Sequence, residues 1–408
     1  MASGARNFLR PFSFAGLWLF AAVACLSIAA QNVIFVGFAA WVALLFLNKA
    51  RPRLPRGLGL WLVFVAWALL ASLLSDNSAH SLLTWKKWLL GITVIYTGAA
   101  LESRRDLDSV LGSLLFFGGL TALGASLWSL RGPAFSGLPL SEIFRQWSER
   151  GEWRAVSGSG GYMVLGSCSM MLLVFYGALW IQDGRFRGWL RALCLACLAL
   201  ALLLTQTRSA WMGAAVGSFA LLWFWRKAAA LGLVAAVAAM LFAFPQSPVA
   251  LRVKNGLDIN QNTARERIFM AETGAAIVKD HPWLGVGDAL ESFDGHPGYY
   301  LRYFPEHAKS WVSLQGKDEG HLHNDFLQVA VMYGLPALLL LLLYFGSLLW
   351  QAAFAATPLG PALAATLLAW FVNGLLEFNF GSLQSSLVLW FLVGLYFAGA
   401  RLNESTPD

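Results

Sequence analysis

The chain has 408 residues, of which 58% carry apolar side chains and only 12% are charged, with 39 glycines besides. A soluble domain carries about 45–50% apolar and about 25% charged residues. It has no way to bury the excess seen here, so a soluble enzyme is excluded. A spanning helix takes about 20 residues, and twelve would use roughly 240, close to 58% of this length. Long unbroken apolar runs also exclude an outer-membrane barrel, whose strands alternate. The formal charge of +7 arises from basic residues dispersed in loops, so nucleic acid is not an expected partner. The expected fold is an all-α integral membrane protein.

Arg6 and Arg10 precede the first apolar run, which reads as a first membrane helix because further spans follow it. Breaking the runs at charge, Pro and Gly predicts spans at 12–30, 33–48, 58–74, 82–101, 107–130, 160–181, 189–205, 209–225, 228–245, 326–350, 360–378 and 382–400. Fourteen Lys and Arg fall in one set of short alternate loops, which makes that side cytoplasmic and places both termini there. The other side carries thirteen, but eight of these lie in the long segment 246–325, whose translocation does not follow charge. Lys86 and Lys87 fall inside the fourth span, where a cation faces the bundle interior or snorkels outward. Nineteen Trp suit interfacial belts. Cys25, Cys168, Cys194 and Cys197 all lie in apolar stretches and read as small buried hydrophobes, the Cys194/Cys197 CxxC included. Three regions result: nine helices over 1–245, an external cap over 246–325, and three helices with a tail over 326–408.

The cap contains five of the six histidines, His281, His296, His307, His321 and His323. So long a loop is functional or disordered, and aromatics such as Trp283, Tyr299, Phe304 and Trp311 argue for order. Residues 264–281 read as an amphipathic helix stopped by His281-Pro282. Asp325 with Gln328 resembles a capping box, so Asn324 or Asp325 starts the tenth span and His323 stands at the membrane surface. A neutral imidazole there can accept a proton; the bland alternative is a histidine that merely hydrogen-bonds in a loop. His321, two residues away, can act with it only if the stretch is extended. No further ligands at metal-site spacing and no HExxH occur, so neither a metal nor another cofactor is expected.

Thr205-Gln206-Thr207-Arg208-Ser209 is a polar break between two spans. Arg208 there is either a snorkelling cation or an anion site whose planar fork fits phosphate. Arg265 and Arg267 open the amphipathic helix against its dipole, which favours a function for at least one. Arg154 precedes the Gly-rich run Ser157-Gly158-Ser159-Gly160-Gly161 and is a weaker candidate, as are Asn324, Lys86 and Lys87.

Arg267-Ile-Phe-Met, then His281-Pro282-Trp283-Leu284-Gly285-Val286-Gly287, then His321-Leu-His323-Asn324-Asp325-Phe326-Leu327-Gln328 resemble the O-antigen ligase and O-antigen polymerase superfamily. The Thr207-Arg208-Ser209-Ala210 turn and Tyr333-Gly334-Leu335-Pro336 match the same group. The chain departs at Ala271, where many relatives carry Trp, so the alignment stays open between Arg265 and Arg267. The resemblance implies a polyprenol-dependent (GT-C type) glycosyltransferase of the bacterial inner membrane, with its site on the periplasmic face. It implies a glycan on undecaprenyl pyrophosphate as donor, and in a ligase a sugar hydroxyl of lipid A–core as acceptor. A polymerase or a protein O-oligosaccharyltransferase would share the chemistry with another acceptor. A transporter of lipid-linked sugar is the alternative from a different class; it would be expected to show related halves, and no internal repeat is present. On this reading Arg208, Arg265 and Arg267 hold the pyrophosphate, His323 is the general base, and His321 accompanies it.

Overall fold

The computed structural model describes residues 14–24, 28–47, 54–147, 151–156, 158, 161–257, 262–294, 296–303 and 320–404. The expectations for Arg6, Arg10, Cys25, Ser157, Ser159, Gly160, Phe304, His307 and Trp311 lie outside them. The described residues are helical, without a strand. The helices are α1 (Phe14–Val23), α2 (Ile28–Leu47), α3 (Leu58–Leu73), α4 (Ser78–Trp85), α5 (Ile92–Ala100), α6 (Arg104–Phe135), α7 (Leu140–Arg145), α8 (Tyr162–Gln182) and α9 (Trp189–Thr205). They continue as α10 (Arg208–Trp225), α11 (Lys227–Ala243), α12 (Pro248–Leu257), α13 (Asn262–Asp280), α14 (Tyr299–Tyr303), α15 (Asp325–Ala353), α16 (Leu359–Gly374) and α17 (Leu383–Glu404).

Four of them, α6, α8, α15 and α17, are long and apolar enough to cross a membrane. Around these the outer surface is itself apolar. In α11 only Ala230 is buried, and Leu231, Val234, Val237, Met240 and Phe242 face outward. Such a face is at home only in hydrocarbon, and the chain is a multi-pass membrane protein. The predicted span 82–101 is not one helix: α4 gives way to a 3-10 segment, Lys86–Gly91, before α5. The last stretch of predicted span 360–378 is likewise not helical, because α16 stops at Gly374.

Packing follows side-chain size. Gly213 and Gly217 form a GxxxG face on α10 where it lies closest to α16; a Cβ at either would meet the backbone oxygen of Ala369 or Ala365 at 2.5 and 2.6 Å. Larger gaps are filled by buried aromatics, among them Trp61, Phe345, Trp370 and Trp390. Cys168, Cys194 and Cys197 are buried in this core, as expected.

One helix is broken on purpose. Pro336 has no N–H, and Gly334 (φ 81°, ψ 172°) leaves the helical region inside α15. Three carbonyls, those of Val331, Met332 and Tyr333, lose their helical partners as a result. Each is taken up from outside: Val286 N–H donates to Val331 at 2.8 Å, Gly287 N–H to Met332 at 3.0 Å, and Trp67 Nε1–H to Tyr333 at 3.0 Å. Leu335 N–H donates to Pro282 at 2.7 Å. Segment 281–287 is thereby clipped to α15, which matters because an unpaired polar group at such depth would cost several kcal/mol.

Gly334→Ala therefore meets two obstacles, a positive φ and a Trp283 carbonyl 1.9 Å from the new Cβ. The expected loss is about 2 kcal/mol or more. Gly346→Ala, with open space around its Cβ, serves as the control. Thermal unfolding in detergent should separate the two; equal melting temperatures would refute the clip.

Candidate functional site

Helices that alternate in direction bring the starts of α8, α10, α15 and α17 and the ends of α9 and α16 to one end of the bundle. There α13 lies across them, packed on α15. Asn324 starts α15: its side-chain oxygen accepts from the N–H groups of Phe326 and Leu327, and its amide donates to the Leu375 carbonyl. Gln328 accepts from Leu322 N–H at 2.8 Å, while Tyr300 OH donates to the His321 carbonyl at 3.2 Å. The histidine segment is therefore fixed from both sides. His323 itself has φ 48°, an uncommon backbone state that other contacts must hold.

The loop 375–382 is fixed by Asp325, which is fully buried. Its Oδ1 accepts from Phe380 N–H at 3.0 Å and its Oδ2 from the Asn379 amide at 3.2 Å. Asn373 and Ser167 extend this network through Asn379. A side chain at Gly374 would strike the Asp325 carboxylate at 2.5 Å.

The loop presents Glu377. Its Oε1 lies 2.7 Å from Arg267 Nη2 and its Oε2 lies 3.0 Å from His323 Nδ1. The Glu377 side chain is 7% exposed. Burial alone would raise its carboxyl, but the hydrogen bond from His323 and the charge of Arg267 outweigh burial and hold it below the usual carboxylate range. With Nδ1–H donated to Glu377, Nε2 is the nitrogen left to accept a proton.

Arg267 and His323 line a cleft of about 230 Å³ together with Arg154, Arg208, Arg252 and Glu266. Four guanidinium groups thus face two carboxylates. Arg252 is pushed down to about 10, first by burial and then by repulsion from Arg154 and Arg208. Arg154 is steadied by stacking 4.1 Å from the Tyr162 ring centroid. Arg208 opens α10 after Thr207, which itself follows Gln206, another non-glycine residue with positive φ (57°). Ser209 Oγ and Gln206 Oε1 are buried there without a hydrogen-bond partner among the described residues. Crowded cations and unmatched polar atoms give the cleft a positive, hydrogen-bonding lining.

The predicted site residues divide. Arg154, Arg208, Arg267 and His323 converge on the cleft. Arg265 is exposed and lies outside its lining; Asn324 caps α15. His321 lies beside His323, ring centroids 4.4 Å apart, although the segment turns at His323 and is not extended. His321 and Lys87 line a second cavity of about 640 Å³, whereas Lys86 is exposed. Lys87 Nζ donates to the Gly381 carbonyl at 3.1 Å. Glu377 and Arg252 are additions. Glu377 fell inside predicted span 360–378, and an acid within a span is itself a functional signal; Arg252 carried none beyond its charge. Among the described residues no three His, Cys, Asp or Glu gather in a metal-binding group.

Residues 192–342 match the family model described as O-antigen ligase. The match spans Arg208, Arg252, Arg267, His321 and His323; Arg154 and Glu377 lie beyond it. No curated protein matches the chain.

The Glu377 bridge makes a pH-dependent prediction. A carboxyl whose folded value lies below its unfolded value contributes stability above the ordinary range and loses it as pH falls through the folded value. Wild type and Glu377→Gln should differ most in melting temperature near neutral pH and converge below about pH 4. A gap that is constant with pH would contradict an ionised bridge.

Proposed function

We propose that this protein is an O-antigen ligase of the bacterial inner membrane. It transfers a glycan from undecaprenyl pyrophosphate to a sugar hydroxyl of lipid A–core at the periplasmic face. Twelve spans, with both termini cytoplasmic, bring the cleft to that face. The observation that carries this reading is the Arg267–Glu377–His323 array beside a cleft rich in arginine.

Pyrophosphate is a good leaving group and needs charge neutralisation more than protonation, which Arg208 and Arg267 supply, with Arg154 and Arg252 near. The acceptor hydroxyl is the weak reactant. His323 Nε2 takes its proton as the hydroxyl oxygen bonds to the anomeric carbon, and Glu377 stabilises the imidazolium that forms. The bond from the anomeric carbon to the phosphate oxygen breaks with its electron pair on that oxygen, so undecaprenyl pyrophosphate departs. Attack opposite the leaving group inverts the anomeric configuration. No step requires a metal ion. The lipid tail of the donor remains among the helices while its headgroup reaches the cleft.

The test uses full-length protein in nanodiscs with undecaprenyl-pyrophosphate glycan and lipid A–core, in EDTA. Transfer to lipid A–core is expected, falling roughly 10²–10⁴-fold in His323→Ala. Arg208→Lys and Arg267→Lys should both weaken donor use, because an ammonium does not reproduce a two-pronged phosphate contact. Elongation of the donor with lipid A–core untouched would replace ligase by polymerase. Full activity in His323→Ala would sink the mechanism.

A further inference from the structure

The two histidines face different spaces. His323 borders the arginine cleft, and His321 borders the larger cavity. Their rings touch, and the next pair in the wall is Glu377 on the cleft and Phe378 on the cavity. Phe378 lies 6.1 Å from the His321 ring, centroid to centroid. The cavities are therefore neighbours across one wall that contains the proton acceptor.

Their linings have opposite character. The cleft carries four arginines against two carboxylates, whereas the larger cavity carries Lys87 against Asp288 and Glu291, with Asn77, Thr84 and Ser382 as neutral polar groups. Lys87 is tied to the Gly381 carbonyl, which draws its charge toward the loop. Asp288 is oriented by Thr84 Oγ1–H at 2.5 Å and by His80 Nδ1 at 3.5 Å. Carboxylates repel a phosphate but accept hydrogen bonds from hydroxyls, and Phe293 and Phe378 offer flat apolar faces. Size points the same way. At about 640 Å³ the cavity falls within the roughly 300–1,000 Å³ of small-molecule sites, and the 230 Å³ cleft falls below it.

We infer that the Asp288–Glu291 cavity is the acceptor subsite and binds an uncharged saccharide through its hydroxyl groups, while the arginine cleft holds only the donor's charged head. The inference rests on the glycosyl-transfer reading above. Acceptor and donor then approach the histidine pair from opposite sides, and the acceptor hydroxyl meets the donor's anomeric carbon at the shared wall. Carboxylates in the subsite also disfavour an acceptor sugar phosphorylated at the reacting end.

Full-length protein in nanodiscs would be probed with delipidated core oligosaccharide by saturation-transfer NMR, alongside separate titrations of donor and acceptor in the transfer assay. Glu291 is exposed, so Glu291→Ala and Glu291→Arg should fold. Both are expected to raise the acceptor KM by about tenfold or more, the worth of one good hydrogen bond to a charged group. Their donor KM should stay within about twofold of wild type. The saccharide NMR signal should weaken in Glu291→Arg and persist in Arg267→Ala. Saccharide binding lost in Arg267→Ala and retained in Glu291→Arg would overturn the inference, as would an unchanged acceptor KM in both Glu291 variants. Saccharide bound at the Glu291 cavity without transfer by wild-type protein would uphold the binding subsite and overturn the ligase reading instead.

Discussion

The Glu377 carboxylate is nearly buried, and everything at the reactive end of the molecule is arranged to keep it charged. An isolated carboxylate in so dry a place would take up a proton, because desolvation costs several kcal/mol per ion. Two partners prevent this, the Arg267 guanidinium at 2.7 Å and the His323 ring at 3.0 Å. They come from different elements, Arg267 from α13 and His323 from the turn before α15. The carboxylate therefore ties together three segments at one point, adding to the bonds of Asn324 and Asp325 to the 375–380 loop and to the packing of α13 on α15. Removing one partner of a buried pair costs roughly 3–5 kcal/mol, which is enough to impose a single arrangement on a loop-built site. The same contact selects the imidazole tautomer and leaves Nε2 for chemistry.

Such a bridge works only if its own support is stiff, and the supports are mostly hydrogen bonds to backbone. Asp325 receives the 379–380 backbone and side-chain groups, so the first residue of α15 anchors the loop that presents Glu377. Farther along α15, the break at Gly334 and Pro336 frees carbonyls that capture Val286 and Gly287. That capture seats the stretch that carries Asp288, whose carboxylate then reaches Thr84 at the end of α4. One helix thus positions both sides of the histidine wall, the Glu377 side by its first turn and the Asp288 side by its kink.

The sequence made the gross architecture readable because apolar periodicity and length are direct consequences of the bilayer. The bounds predicted at 189–205 fall on α9, Trp189–Thr205, and those at 58–74 fall within one residue of α3. Arg208 and His323 were legible for a related reason, since an ionisable group at the edge of an apolar run needs an explanation; Arg267 was legible because a cation opening a helix opposes its dipole. Glu377 was not, because the apolar run 360–376 continued past the true helix end and absorbed it into a span. The choice of Arg267 over Arg265 was also out of reach, since two residues apart on a helix means opposite faces, and only packing of α13 decides which face meets the cleft. Likewise the two-residue spacing of His321 and His323 gave no hint of the positive φ at His323 or of the contact between the two rings. The paired motifs His281–Gly287 and Tyr333–Pro336 were visible as strings, but their relation is a set of backbone hydrogen bonds that no side-chain pattern encodes.

Glycosyl transfer from a lipid pyrophosphate sets two electrostatic demands that conflict at one point. The leaving group calls for concentrated positive charge, and the acceptor needs a base that is unprotonated when the hydroxyl arrives. A base surrounded by arginines alone would be free of its proton but would gain little stabilisation once it took one. On the proposed reading, Glu377 resolves the conflict by standing between Arg267 and the imidazole. Toward Arg267 it offsets one positive charge; toward His323 it favours the protonated ring that forms during attack. A second separation follows from the wall itself. If the arginine cleft takes the donor and the Asp288–Glu291 cavity the acceptor, as proposed, neither substrate is attracted to the place of its partner. Specificity then arises as much from repulsion of the wrong ligand as from contacts to the right one.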